Sequence, residues 1–279
     1  MNHGKIGIIL AGLTAGCLMT GCIITTGCSS PPIQAQRTVE LAAPMAAGGI
    51  FAAESENGSI QVQGQATQCH VTATITGRGW TDTQASELVN QVQVRLEPAG
   101  NKITVVVQKP ISDLANTISL SYDAKVPSPC DLELISHNGN ITARSTQGAA
   151  QCQTQNGRVN LDGCTGPVRA KSQNGNVEVL GFSQDLEATS QNGKVTLVQA
   201  AQAQPGTMIK AVSQNGSIHL TTAPNLSAKV RLTTQNGSIH TSRPIAVEGK
   251  IDRSQVTGTI GTGTGELILE THNGSITLE

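Results

Sequence analysis

Aromatic side chains are scarce in this 279-residue sequence, which holds two Phe, one Tyr and one Trp beside 30 Gly. Aromatic rings usually supply much of the buried area of cores and interfaces. Any core formed by this chain must therefore be thin and aliphatic. Few rings also weaken stacking on bases or sugars as a binding mode.

Charge is sparse as well, since only 13% of residues are charged and the formal net charge is -1. Lys and Arg are not gathered into a basic block, which a nucleic-acid partner would require. We therefore expect no nucleic-acid partner. A hydrophobic content of 37% excludes a disordered polyelectrolyte.

The first 28 residues form a targeting segment. Lys5 precedes a run from residue 6 to 26 that contains no charged residue, as in secretory signals. Gly-Cys follows small or apolar residues at Cys17, Cys22 and Cys28, which resembles the lipobox of bacterial lipoproteins. That resemblance implies an acylated Cys22, the position that gives a conventional signal length. Cys28 is the alternative.

The expected domain organisation follows from this segment. Residues 1–28 are the signal peptide and lipobox region, 29–36 are a linker that begins Ser-Ser-Pro-Pro, and 37–279 are a single domain. An uncleaved membrane anchor is the other interpretation. Both predict an extracytoplasmic protein held on a membrane, either the outer membrane or the cell surface.

The dipeptide Asn-Gly recurs eight times and marks an internal repeat. These candidate turn residues are Asn57, Gly58, Asn138, Gly139, Asn156, Gly157, Asn174, Gly175, Asn192, Gly193, Asn215, Gly216, Asn236, Gly237, Asn273 and Gly274. Apolar or small residues alternate with polar ones on both sides of the dipeptide. Two positions before the Asn stands a hydroxyl residue, at Ser136, Thr154, Ser172, Ser190, Ser213, Thr234 and Thr271. The pattern predicts two short strands per repeat, each with one buried face.

Two architectures fit such a repeat. An antiparallel meander would use Asn-Gly as a hairpin turn, whereas a parallel β-solenoid would stack one coil per repeat. A hairpin would pair the apolar position six before the Asn with residues such as Ser145, Gly163 and Gln199, which match poorly. We therefore predict an all-β parallel β-solenoid (β-helix) of coils about 18–23 residues long. We expect Asn and Gly to form the corner through positive φ.

Residues 37–129 lack the regular rhythm of residues 130–279. They contain an early copy at Asn57, several alternating runs and a short helix that Thr81 or Asp82 caps. We expect this part to close the amino-terminal end of the solenoid. The long gap before Asn273 suggests a degenerate coil around residues 257–265.

The sequence offers few groups for chemistry. His219 and His240 occupy equivalent places in successive repeats, but two His without a third ligand bind metal weakly. Cys69, Cys130, Cys152 and Cys164 show no zinc-like spacing, and Cys152 falls on an inward column. A buried thiol or a disulfide of Cys152 with Cys164 or Cys130 fits that position. We expect no catalytic residue, no cofactor and no metal.

The order of segments is similar to that of the bacterial extracytoplasmic domains of unknown function called putative adhesins, which are related to autotransporter adhesin head domains. The resemblance rests on residues 56–60 (Glu-Asn-Gly-Ser-Ile), residues 122–127 (Tyr-Asp-Ala-Lys-Val-Pro) and the serial Asn-Gly-x-Ile/Val copies. It implies a β-helical fold, surface exposure and no established enzymatic site.

The expected function is that of a lipid-anchored, non-enzymatic cell-envelope protein with a structural or adhesive role. Its partners would be the membrane, through the acyl anchor, and a surface glycan or an envelope protein. A polysaccharide-acting enzyme on a β-helix and a sensory or accessory envelope protein are the alternatives.

Overall fold

The computed structural model describes residues 31–247 and 252–279, and more than half of these residues lie in β-strands. The predicted anchor cysteines, Cys22 and Cys28, lie outside the described residues. The helix α1 spans Asp82–Gln91. The strands are β1 Ile33–Ala43, β2 Gly49–Asn57, β3 Ile60–Gly64, β4 Cys69–Gly79, β5 Gln93–Ala99, β6 Lys102–Gln108, β7 Ser119–Val126, β8 Cys130–Asn138, β9 Ile141–Arg144, β10 Ala150–Thr154, β11 Val159–Asp162, β12 Val168–Ser172, β13 Val177–Phe182, β14 Leu186–Ser190, β15 Val195–Gln199, β16 Met208–Ser213, β17 Ile218–Thr221, β18 Ala228–Thr234, β19 Ile239–Thr241, β20 Ala246–Val247, β21 Gln255–Ile260, β22 Gly265–Thr271 and β23 Ile276–Leu278.

The strands form two sheets. Sheet A has 11 strands in the order β1-β4-β7-β3-β9-β11-β13-β15-β17-β23-β19. Sheet B has 12 strands in the order β20-β21-β18-β22-β16-β14-β12-β10-β8-β2-β6-β5. The inward side chains of both sheets join in one hydrophobic cluster. The prediction of an all-β fold with parallel sheets is confirmed.

Each regular repeat contributes one strand to each sheet. β10 carries Ala150, Cys152 and Thr154 inward, the chain turns at Asn156 and Gly157, and β11 continues in the other sheet. Equivalent positions pair in parallel, so that Ala150 faces Val168 in β12. The turn at Asn156 therefore joins two sheets and does not close a hairpin.

The core is thin, as the scarcity of rings predicts. Aliphatic columns fill most of it, and the rings of Phe51, Tyr122 and Phe182 are fully buried among them. Trp80 is the exception, because 54% of its surface is exposed.

The amino-terminal part closes one end of the solenoid. β2 and β3 form the coil that carries Asn57 and pair in parallel with β8 and β9. Beyond them, β4 pairs antiparallel with both β7 and β1, and helix α1 packs on β4 and β1. The helix is capped as expected, because the Thr81 hydroxyl accepts the backbone N–H of Gln84 at 3.2 Å.

The boundary of the predicted linker was wrong. Residues 33–36 belong to β1, where Ile33 pairs with Gly79 and Gln36 with Thr76. Their alternation of half-buried and exposed residues lets them extend the antiparallel pairing with β4.

The carboxyl-terminal end departs from the order of the chain. The last coil, β22 and β23, lies between the coil of β16 and β17 and the coil of β18 and β19. The expected degenerate coil around residues 257–265 was also wrong. Residues Gln255–Ile260 pair antiparallel with β18 and so cover the edge of sheet B instead of adding a coil.

Within the described residues, no helix has the length and apolar character needed to cross a bilayer.

Candidate functional site

The asparagines of the eight repeats form a continuous ladder along one corner of the solenoid. We call this the Asn ladder, and its order in space is Asn57, Asn138, Asn156, Asn174, Asn192, Asn215, Asn273 and Asn236. In each step the side-chain Nδ2 of one Asn donates to Oδ1 of the preceding one, at 2.7–2.9 Å. A side-chain amide suits this role because it carries both a donor and an acceptor.

A second column of hydrogen bonds lies just inside the same corner. In seven of the eight repeats the hydroxyl two positions before the Asn is buried and donates to a glycine carbonyl of the neighbouring coil, whereas Ser55 of the first repeat donates to the carbonyl of Leu120 at 2.7 Å. Ser172, for example, donates to the carbonyl of Gly157 at 2.9 Å, and Thr271 donates to that of Gly216 at 2.8 Å. The hydroxyls do not bond to one another. They satisfy carbonyls that the corner would otherwise bury without a partner.

The glycine of each corner is required by close stacking. A Cβ added to Gly157 would lie 2.1 Å from the carbonyl oxygen of Gly139 in the next coil. The expectation that the corner needs positive φ was wrong. Among the turn glycines only Gly58 has a φ in that region, at 150°, and no turn Asn does. The missing side chain, not the backbone conformation, selects glycine here.

The outward face of sheet B carries charges whose sign changes from coil to coil. Arg169 lies beside Glu187, with Nε 2.9 Å from the carboxylate, and Lys102 lies 2.6 Å from Glu133. Lys210 follows Glu187 in the same column. These pairs are largely exposed and contribute little stability.

The outward face of sheet A is different, because it carries mainly hydroxyl, amide and imidazole groups. One row of paired residues crosses all 11 strands. We call it the polar row, and it consists of Glu40, Thr72, Asp123, Gln61, Thr142, Asn160, Glu178, Thr196, His219, Thr277 and His240. At about 4.8 Å per strand the row is roughly 48 Å long.

The two histidines in the polar row are not neighbours. His219 pairs with Thr277 of the last coil, and Thr277 pairs in turn with His240. Although His219 and His240 occupy equivalent places in successive repeats of the sequence, the last coil therefore separates them in the structure. In the described part of the chain, no three His, Cys, Asp or Glu side chains cluster in a way that could hold a metal ion.

The four described cysteines are buried free thiols, and neither of the disulfides considered above is formed. Burial raises the pKa of Cys69 and of Cys130 to about 12. Burial also raises the pKa of Cys152 and that of Cys164. The sulfur of Cys164 accepts a hydrogen bond from the Thr146 hydroxyl at 3.2 Å. Such thiols are poor nucleophiles near neutral pH.

Two shallow grooves mark the surface, and their polar groups serve the fold. One lies beside Met208, and its Asp185 carboxylate accepts the Met208 backbone N–H at 2.9 Å. The other contains Arg243, whose guanidinium donates to two backbone carbonyls at 3.1 and 3.3 Å. The described residues that line these grooves include no Ser, Cys or His.

Sequence reasoning missed part of the polar row. Asp123, Thr72 and Glu40 join it through strands that lack the Asn-Gly repeat. Their alternating pattern predicts strands but not which strand each one pairs with. The positions of Trp80 and Ile111, both exposed, were also unmarked by any motif.

The geometry defines a parallel β-solenoid whose corner is an Asn-Gly stack. A family model described as Toastrack DUF4097 matches residues 51–279, and the chain belongs to this family. No curated protein matches the sequence significantly.

Solved structures resemble this chain at low sequence identity. A putative adhesin from Bacteroides fragilis is 14% identical with a TM-score of 0.44, over 91% of this chain and 100% of that one. A putative adhesin from Parabacteroides distasonis is 11% identical with a TM-score of 0.42, over 88% and 97%. A putative cell adhesion protein from Clostridium sporogenes is 10% identical with a TM-score of 0.37, over 88% and 99%.

Proposed function

We propose that this protein is a lipid-anchored, non-enzymatic component of the bacterial cell envelope that adheres through the outward face of sheet A. The polar row is the observation that carries the proposal. It places groups that can donate and accept hydrogen bonds on every strand of sheet A, whereas the outward face of sheet B carries ion pairs such as that of Arg169 with Glu187.

The chemistry of the polar row favours a hydroxyl-rich ligand, such as a surface glycan. Thr142, Thr196 and Thr277 offer half-exposed hydroxyls on three different coils. A polymer lying along the row could bond to several coils together. Each contact would be weak without an aromatic ring to stack on, so that affinity would come from the number of contacts.

A non-enzymatic role agrees with the state of the reactive groups. The thiols are buried and held protonated by their raised pKa values. The carboxylate of Glu56 is hydrogen bonded to Lys109, and this contact lowers its pKa, which is unsuitable for a general acid at neutral pH.

The adhesive face is tested by removing hydroxyls without changing shape. A triple variant, Thr142→Val, Thr196→Val and Thr277→Val, should lose binding to immobilised envelope glycans. A double variant on sheet B, Thr189→Val and Thr233→Val, is the matched control and should bind normally. Equal binding by both variants would reject the polar row as the adhesive surface. Cleavage of a glycan by the purified protein would reject the non-enzymatic role.

The anchor is tested separately by labelling cells with an acyl-chain analogue. Label should be lost in Cys22→Ala and retained in Cys28→Ala. The opposite result would move the anchor to Cys28, and label on neither protein would reject lipid anchoring.

A further inference from the structure

Two large apolar side chains are exposed in the amino-terminal part of the molecule. Trp80 is 54% exposed and Ile111 is fully exposed. Neither belongs to the Asn-Gly repeat, and both lie in connections, Trp80 between β4 and α1 and Ile111 between β6 and β7.

Strand pairing brings these two connections to the same edge of the molecule. β4 and β7 are antiparallel with Thr76 opposite Ser119, so the end of β4 lies beside the start of β7. The Thr117 hydroxyl donates to the backbone carbonyl of Arg78 at 3.0 Å and ties the loop that follows Ile111 to the end of β4. Trp80 therefore projects from the edge that this loop occupies.

The first strand begins at this same edge. Ile33, the first residue of β1, pairs with Gly79, which directly precedes Trp80. Cys28 is five residues before Ile33 and Cys22 is eleven before it. Fully extended, these lengths reach at most about 18 Å and about 40 Å. An acyl chain on either cysteine would hold this edge close to the lipid surface.

We infer that this edge rests on the membrane to which the chain is anchored, with Trp80 and Ile111 inserted among the lipid headgroups. The inference rests on the proposed acyl anchor and extends it by a second point of attachment. Indole rings favour this depth because they are amphipathic. Charges of both signs flank these two side chains in the sequence, Arg78 and Asp82 around Trp80 and Lys109 and Asp113 around Ile111, so we expect contact with zwitterionic as well as anionic lipid.

Trp80 is the only Trp in the sequence, so its fluorescence reports on this edge alone. The acylated full-length protein would be placed in phosphatidylcholine vesicles with brominated acyl chains. We expect a blue shift of emission and a loss of intensity relative to unbrominated vesicles. The variant Ile111→Ser should show a smaller loss, since one of the two inserted side chains is removed.

A matched control moves the indole to another exposed apolar position. Met208 is 45% exposed and lies on β16, in the regular part of the solenoid. The double variant Trp80→Phe and Met208→Trp should float with the vesicles. Its emission intensity should be the same in brominated and in unbrominated vesicles. Quenching equal to that of the native protein would overturn the inference, because it would mean that the solenoid lies on the bilayer without a preferred edge.

The remaining outcomes separate the inference from the anchor. Protein that carries acyl label and floats with vesicles, yet shows unchanged Trp80 emission, would overturn the inference and leave the anchor standing. Protein without label that does not float would reject the anchor, and the inference would fall with it. A blue shift that grows with protein concentration in the absence of lipid would assign the edge to a second copy of the chain and overturn the inference.

Discussion

The middle coils and the two ends of the solenoid follow different rules. From β8 to β17 the coils stack in the order of the chain, and each pairs in parallel with the next. At the amino-terminal end β7 lies between β3 and β4, and at the carboxyl-terminal end the last coil lies between two earlier ones. Antiparallel strands occur only at these ends of the described sheets.

Matching columns therefore determine how coils pair but not which coils become neighbours. Ile209, Val230 and Leu267 occupy the same inward column, so β16 could accept either β18 or β22. An end coil, in contrast, must protect an open edge from further pairing. Antiparallel strands do this at both edges of sheet B and at the amino-terminal edge of sheet A, because they do not repeat the pairing surface of the coils, whereas sheet A ends at its other edge in the short coil strand β19.

The largest expected effect comes from deleting a coil at the end instead of the middle. Removing residues 265–279 takes away the strand between β16 and β18 and the carbonyl of Glu279 that accepts the Thr222 N–H at 2.7 Å. We expect the strands β18 to β21 to lose hydrogen-exchange protection while the middle coils stay protected.

The matched deletion removes residues 157–174 and joins Asn156 to Gly175, which restores the repeat. We expect a shorter folded protein, because neighbouring coils present the same columns. In the variant without residues 265–279, β18 could instead pair with β16 and keep its full hydrogen-exchange protection. That result would show that end coils and middle coils tolerate deletion equally well.

The next effect concerns the corner glycines of the middle coils. Gly157→Ala should lower the free energy of unfolding by about 2–4 kcal/mol, because the added Cβ meets a backbone carbonyl that cannot move alone. Gly206→Ala is the control, since its nearest contact is the Thr264 hydroxyl at 3.3 Å. Urea denaturation of both variants measures the difference, and equal losses would argue against close stacking as the reason for glycine.

A smaller effect depends on pH and on the buried thiol of Cys152. Its pKa is raised by burial above the ordinary value of 9.0. The folded state therefore keeps the thiol protonated, and this stability is intact below pH 9 and declines above it as the unfolded thiol ionises. The slope is at most about 1.4 kcal/mol per pH unit.

The variant Cys152→Ala tests this contribution, because Ala occupies the equivalent positions 170, 188 and 211. Denaturation at pH 8 and at pH 10 should show a smaller loss of stability in the variant than in the native protein. Identical losses would mean that Cys152 does not contribute to alkaline unfolding.

The smallest effect distinguishes the middle of the Asn ladder from its end. Asn174→Ala removes two ladder hydrogen bonds, whereas Asn236→Ala removes one. These bonds are exposed, so we expect losses of about 1 and about 0.5 kcal/mol. Thermal unfolding of the two variants would measure them, and a greater loss at Asn236 would contradict a ladder in which every bond has similar weight.

Much of the regular part could be predicted from local pattern alone. Period-two alternation places Val159 and Leu161 inward, and recurrence every 18 residues predicts parallel pairing of like positions. Outside the regular part, a short helix was expected with Thr81 or Asp82 as its cap, and the structure has Thr81 as the cap of the helix Asp82–Gln91. The pattern did not reveal why glycine is needed at the corner, because the clash that excludes other residues comes from a neighbouring coil.

The candidate sites were less accessible to sequence reasoning. The polar row depends on pairing between strands far apart in the chain, as Asp123 with Gln61 illustrates. The proximity of Trp80 to the start of β1 likewise needs the pairing of Ile33 with Gly79. Such long-range registers are set by tertiary packing and carry no local signature.

The thin aliphatic core, the buried face of each strand and the equivalence of the coils follow from the period and size of the side chains in the sequence. The order in which equivalent coils stack, and the strands that lie at each end, depend on tertiary packing. Coils with the same columns have nearly the same pairing energy. The connecting segments and the strands at each end therefore determine which coils become neighbours. That choice separated His219 from His240 and placed Trp80 beside the first strand.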